Sequence, residues 1–154
     1  MFFILVYLVL NLLLVWHDLR SGLLPDRFTC PLLWAGLLWH CFWRTELLAQ
    51  AVIGAAAGYI GFAFLYWGYR GIRGQEGLGY GDVKYLAALG AWHGWQILPG
   101  LVFIAALLAC ITALCKAIGL RNRQALKNPL PFGPFLAAAG LLTGSHTVLT
   151  TLPL

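Results

Sequence analysis

Residues 47–69 read LLAQAVIGAAAGYIGFAFLYWGY, a run without one charged side chain. A helix needs about 20 mostly apolar residues to cross the hydrocarbon core of a bilayer, and this run meets that length. It is the third of six apolar runs in the 154-residue chain. Before it come residues 1–16, which can continue as helix past Asp18, and residues 28–43, with Pro31 early enough for a helix start to tolerate it. After it come a run that begins near Asp82 and fades at Gln96, residues 98–118 with Pro99 at the turn, and residues 132–154. The expected fold is an all-α integral membrane protein of about six transmembrane helices in one bundle. Residues 1–154 then form a single domain.

Composition agrees. The chain is 61% hydrophobic and 10% charged, whereas a soluble domain carries about a quarter charged residues. A net charge of +5 would suggest nucleic acid in a soluble protein. Here the basic residues sit in the gaps between apolar runs, so membrane lipid is the expected partner and nucleic acid is not. Arg20 and Arg27, then Arg70, Arg73 and Lys84, then Lys116, Arg121, Arg123 and Lys127 occupy the first, third and fifth gaps. Arg44 stands alone in the second, and the fourth has none. Excess Lys and Arg mark the cytoplasmic side, so both termini are expected outside. The N-terminal run has no basic region before it, so it is read as a retained span rather than a cleaved signal.

Smaller signals follow. Gly54 and Gly58, and Gly140 and Gly144, form two G-x-x-x-G patterns. Small residues let helices approach in lipid; packing inside one bundle is the expectation, with a homo-oligomer face as the alternative. Cys30, Cys41, Cys110 and Cys115 have no C-x-x-C spacing, so no metal site is expected and the thiols are read as buried and structural. His17, His40, His93 and His146 are scattered and no H-E-x-x-H occurs, which argues against a metalloprotease. They are expected to hydrogen-bond at the interface or in a cavity. The run from Arg121 to Lys127 is read as a solvated loop facing lipid headgroups.

The chain has five acids: Asp18, Asp26, Glu46, Glu76 and Asp82. Asp18 closes the first apolar run and Asp82 opens the fourth. A carboxylate at the edge of a span is costly, and so marks a candidate functional site. Gly77, Gly79 and Gly81 alternate before Asp82, a backbone that can be irregular and admit another chain. Irregular backbone at membrane depth survives only inside protein or beside a wet cavity. Two carboxylates from different helices in such a place suit hydrolysis, because like charges a few ångströms apart share one proton. Asp82, before a helix, is expected to be the ionised base, and Asp18, at a helix end, the protonated partner. Lys84 either supports that charge or contacts lipid phosphate. Asp26 follows Pro25 and reads as a turn residue.

His17-Asp18, Leu24-Pro25-Asp26, the block from Glu76 through Gly79-Tyr80-Gly81-Asp82-Val83-Lys84, Leu86 through Trp92, and Pro131-Phe132-Gly133-Pro134 together resemble the bacterial prepilin peptidases. These are intramembrane aspartic proteases of the GxGD type, and the match covers roughly residues 14 to 140. The resemblance implies that Asp18 and Asp82 are catalytic and that Gly79, Tyr80, Gly81 and Lys84 form the active-site loop, with no cofactor. It implies cleavage of the basic leader from type IV prepilin or type II pseudopilin precursors at the cytoplasmic face of the inner membrane. It also implies a short form lacking the cysteine-rich, methyltransferase-associated N-terminal region. A broader GxGD membrane protease and a non-catalytic relative are the alternatives.

Overall fold

The charge-free run forms the longest helix, α3 (Leu48–Arg73), entered through a short 3-10 turn, Thr45–Leu47. It outruns Tyr69 by one turn because Arg70 and Arg73 suit the negative carbonyl end of a helix. Gly74 then stops it at φ 66°, its N–H donating to the Arg70 carbonyl at 2.9 Å. The structure is a computed structural model that describes residues 2–74, 79–119 and 131–151. The other helices are α1 (Phe2–Ser21), α2 (Asp26–Trp43), α4 (Tyr80–His93), α5 (Leu98–Gly119) and α6 (Gly133–Thr151), with no strand among the described residues. The protein is an all-helical membrane protein. Glu76, Gly77 and the run from Arg121 to Lys127 lie outside the described residues.

Three helical stretches are long and apolar enough to cross a bilayer: Phe2–Ser21, Thr45–Arg73 and Leu98–Lys116. The expected count of six is therefore not met by length and composition alone. The fourth run differs most. It yields 14 residues, about 21 Å at 1.5 Å per residue, against a hydrocarbon core of about 30 Å. Its residues from Val83 to Ala91, apart from Lys84, are buried on every side.

That makes α4 the centre of the bundle. It packs on α3, α2 and α6, while α1 lies against α2 and α6, and α5 mainly against α6. The α3–α4 seam is the closest. A Cβ on Gly54 would collide with the Gly90 carbonyl oxygen, and one on Gly58 would stand 2.8 Å from the Leu86 oxygen. Gly140 and Gly144 likewise face Leu89 and His93. Both G-x-x-x-G patterns thus serve contacts within the bundle.

The cysteines need a correction. Cys30, Cys41, Cys110 and Cys115 are all exposed, not buried. The physical reason is the solvent: a thiol on the outer face of a membrane helix rests in hydrocarbon without being covered by protein.

Candidate active site

Four side chains of α1 are buried, Tyr7, Asn11, Leu14 and Asp18, one stripe at helical spacing. Asp18 falls within the last turn of α1 rather than after it. Gly22, at φ 64°, closes that turn, its N–H donating to the Asp18 carbonyl at 2.8 Å. Asp82 sits in the first turn of α4. Both carboxylates are buried, 5% and 6% exposed, although each stands near a helix end where water is normally reached.

The surroundings of the two acids differ. Asp18 Oδ2 accepts the backbone N–H of Gly133 at 2.9 Å. Gly133 opens α6, so Asp18 meets the positive end of that helix. A Cβ at Gly133 would lie 2.5 Å from Asp18 Oδ2, so no other residue type lets the backbone approach this closely. Asp82 Oδ1 is buried and has no hydrogen-bond partner among the described residues. One carboxylate is held; the other keeps an oxygen available.

The remaining candidates neighbour Asp82 in the chain, mostly in helix rather than loop. Gly79 is the N-cap of α4 in extended conformation (φ −69°, ψ 135°), and Tyr80, Gly81 and Lys84 belong to the helix itself. The Tyr80 hydroxyl bonds to that of Tyr59 on α3, and its ring meets Tyr66 with centroids 5.3 Å apart. Gly81 lets α4 pack on the α1–α2 connection, where an added Cβ would stand 2.8 Å from Leu24 Cβ. Lys84 does not bond Asp82 among the described residues: its Nζ donates to both Asp26 oxygens, at 2.8 and 2.7 Å. Asp26 is the first residue of α2, not a turn residue, and its negative charge suits that end. His17 Nε2 accepts from Arg27 at 3.2 Å. Among the described residues no three His, Cys, Asp or Glu side chains gather as a metal-binding group.

Residues 5–114 match the sequence profile described as "Type IV leader peptidase family". The chain belongs to that family. It is 61% identical over 142 residues to leader peptidase HopD of Salmonella typhimurium, covering 92% of this chain and 91% of that one. Against leader peptidase HopD of Escherichia coli the identity is 56% over 147 residues, covering 96% and 94%. Against the prepilin leader peptidase/N-methyltransferase of Burkholderia pseudomallei it is 49% over 126 residues, 82% of this chain but 40% of that one. No solved structure matches. Family membership makes the chain a protease and fits the short form, since it spans nearly all of each HopD protein.

Gly133, Asn11 and Tyr85 were not singled out from the sequence. The only signal for Gly133 is its place in Pro131-Phe132-Gly133-Pro134. For the other two it is spacing: Asn11 is seven residues before Asp18, and Tyr85 three after Asp82.

Proposed function

We propose that the chain is a membrane-embedded aspartic endopeptidase that removes the basic leader from type IV prepilin or type II pseudopilin precursors, with Asp18 and Asp82 as its catalytic pair. The observation that carries this reading is a pair of buried carboxylates on different helices, Asp18 in the last turn of α1 and Asp82 in the first turn of α4, one held by a backbone N–H and one with an unpartnered oxygen. Names of the relatives support the substrate class.

The roles follow from the partners. Each acid stands at a helix N-terminus, which favours an anion, but Asp18 Oδ2 accepts the Gly133 N–H while Asp82 Oδ1 is buried without a partner among the described residues, so Asp18 acts as the base that takes a proton from the attacking water. Asp82 acts as the acid, giving its proton to the scissile carbonyl oxygen as the C–O bond forms. The proton on Asp18 then passes to the leaving nitrogen as the C–N bond breaks, and Asp82 recovers the carbonyl proton. This reverses the assignment expected from sequence. That expectation considered the N-terminus of α4 but not that of α6, which reaches Asp18 from 115 residues away.

Arg20, Arg27, Arg70, Arg73 and Lys84 stand at the helix ends on the same side of the bundle as the pair, which supports a cytoplasmic site. The same rule supports the inner membrane and external termini. Residues 1–154 act as one peptidase domain in contact with lipid, with self-association open to test. Co-expression with a prepilin and detection of the shortened product tests the function. An uncleaved precursor beside a correctly inserted chain would reject it.

A further inference from the structure

The helices that carry the two aspartates do not pack backbone against backbone. The close neighbours of α4 are α3, α2 and α6, with no extended approach to α1. What bridges α1 and α4 is side chains: the Tyr7 ring packs on Trp92 with centroids 4.8 Å apart, and a set of hydrogen bonds runs beside it. Buried Tyr85 donates its hydroxyl to Asn11 Oδ1, and Asn11 Nδ2 donates to the Tyr7 carbonyl at 2.7 Å. Farther from the aspartates, the Tyr7 hydroxyl and His93 Nε2 share a hydrogen bond of 3.1 Å.

The spacing gives these contacts a common geometry. Tyr7, Asn11 and Asp18 share one stripe of α1, at intervals of four and seven residues. Asp82, Tyr85 and His93 follow one another along a single stripe of α4, three and eight residues apart. The helices run in opposite directions, so Asp18 faces Asp82, Asn11 faces Tyr85, and Tyr7 faces His93. An Asn buried in an apolar helix is costly unless paired. Asn11 is 2% exposed and Tyr85 fully buried, so neither has water as an alternative partner.

We propose that the Tyr85–Asn11 hydrogen bond, seconded by Tyr7–His93, is a strut that sets the separation and register of α1 against α4 and thereby levels the two carboxylates. Asn11 and Tyr85 are positioning residues: their hydrogen bonds go to each other and to the Tyr7 carbonyl, not to either carboxylate. Tight glycine contact fixes α4 on α3, but nothing comparable fixes it on α1. The inference rests on the proposed aspartic dyad.

The test uses the full-length protein in bilayers and a prepilin precursor, comparing wild type with Tyr85→Phe, Asn11→Leu and the double variant. Tyr85→Phe keeps the ring and removes the bond. A misplacement of about 1 Å costs up to about 100-fold, so kcat should fall between about 10-fold and 100-fold with KM within about twofold. Spin labels on Leu19→Cys and Tyr80→Cys, with the native cysteines replaced, should show a broadened α1–α4 distance in Tyr85→Phe. Wild-type kcat per folded molecule, or an unchanged distance distribution, overturns the proposal. If Tyr85→Phe does not fold, the double variant is read instead, since it leaves no orphaned polar atom; normal kcat there overturns the strut. If wild type itself leaves the precursor intact, the functional reading fails and the label distances alone decide the strut.

Discussion

Two seams meet on α4, and they are built oppositely. Toward α3 the seam is made of glycines, with Gly54 against Gly90 and Gly58 against the Leu86 carbonyl, and it leaves no room for one added carbon. Toward α1 it is wide and spanned by side chains, the hydrogen bonds Tyr85–Asn11 and Tyr7–His93 and the ring contact Tyr7–Trp92, and it ends at Asp18 and Asp82. The comparison teaches how one short helix can be anchored on one face and carry a buried carboxylate on another. Backbone contact fixes it against α3; toward α1 side chains span the gap.

The largest effect that would break this contrast lies at the wide seam. Asp18→Asn and Asp82→Asn should each lower prepilin cleavage by more than about a thousandfold with insertion intact, because residues acting as a unit lose function together. Full activity in either single variant removes that carboxylate from the chemistry. Gly133→Ala comes next. Its Cβ would stand 2.5 Å from Asp18 Oδ2, and the displaced carboxylate should cost about 100-fold in kcat while the bundle still folds. Unchanged kcat would mean that α6 does not hold Asp18.

At the glycine seam the expected loss is in stability. Gly54→Ala should destabilise the protein by about 1–3 kcal/mol, the usual cost of overpacking, measured as a lower midpoint of thermal unfolding. Gly61→Ala is the internal control, because its Cβ would meet nothing within 4 Å; equal losses at both positions would dissolve the distinction between seam and outer face. The smallest effect is at Asp26. Its side chain is 58% exposed in the pair with Lys84, and an exposed ion pair contributes about 0–1 kcal/mol. Asp26→Asn should therefore lower kcat/KM by no more than about fivefold. A complete loss in a folded protein would make Asp26 part of the reacting machinery.

The helices were legible because each is an apolar run bounded by charge, glycine or proline. Their ends shifted where backbone electrostatics decided the matter: α3 continues through Arg70 and Arg73, and α2 begins at Asp26. The exposed cysteines were misread because an apolar side chain in a membrane protein is satisfied by lipid as well as by core. The site was legible as residue types and an order along the chain. The Gly133 N–H on Asp18 and the bonding of Lys84 to Asp26 are contacts across 115 and 58 residues, and no local periodicity encodes them. Asn11 was hidden by its neighbours, a single polar residue in a run of leucines and valines.

The shortness of α4 has a consequence for supply. A rod of 14 residues inside a layer about 30 Å thick leaves about 9 Å of that thickness without α4. Asp82 lies in the first turn of α4 and Asp18 in the last turn of α1, and protein buries both carboxylates. On the proposed dyad, hydrolysis consumes one water for each bond cut, and that water must pass between the helices from the aqueous phase to reach the pair. The peptide bond must come down with it in extended form, since a helical segment keeps its carbonyls engaged with its own backbone. On that dyad the burial of the pair acts as a sieve: it admits an unwound stretch of chain and turns away an intact helix.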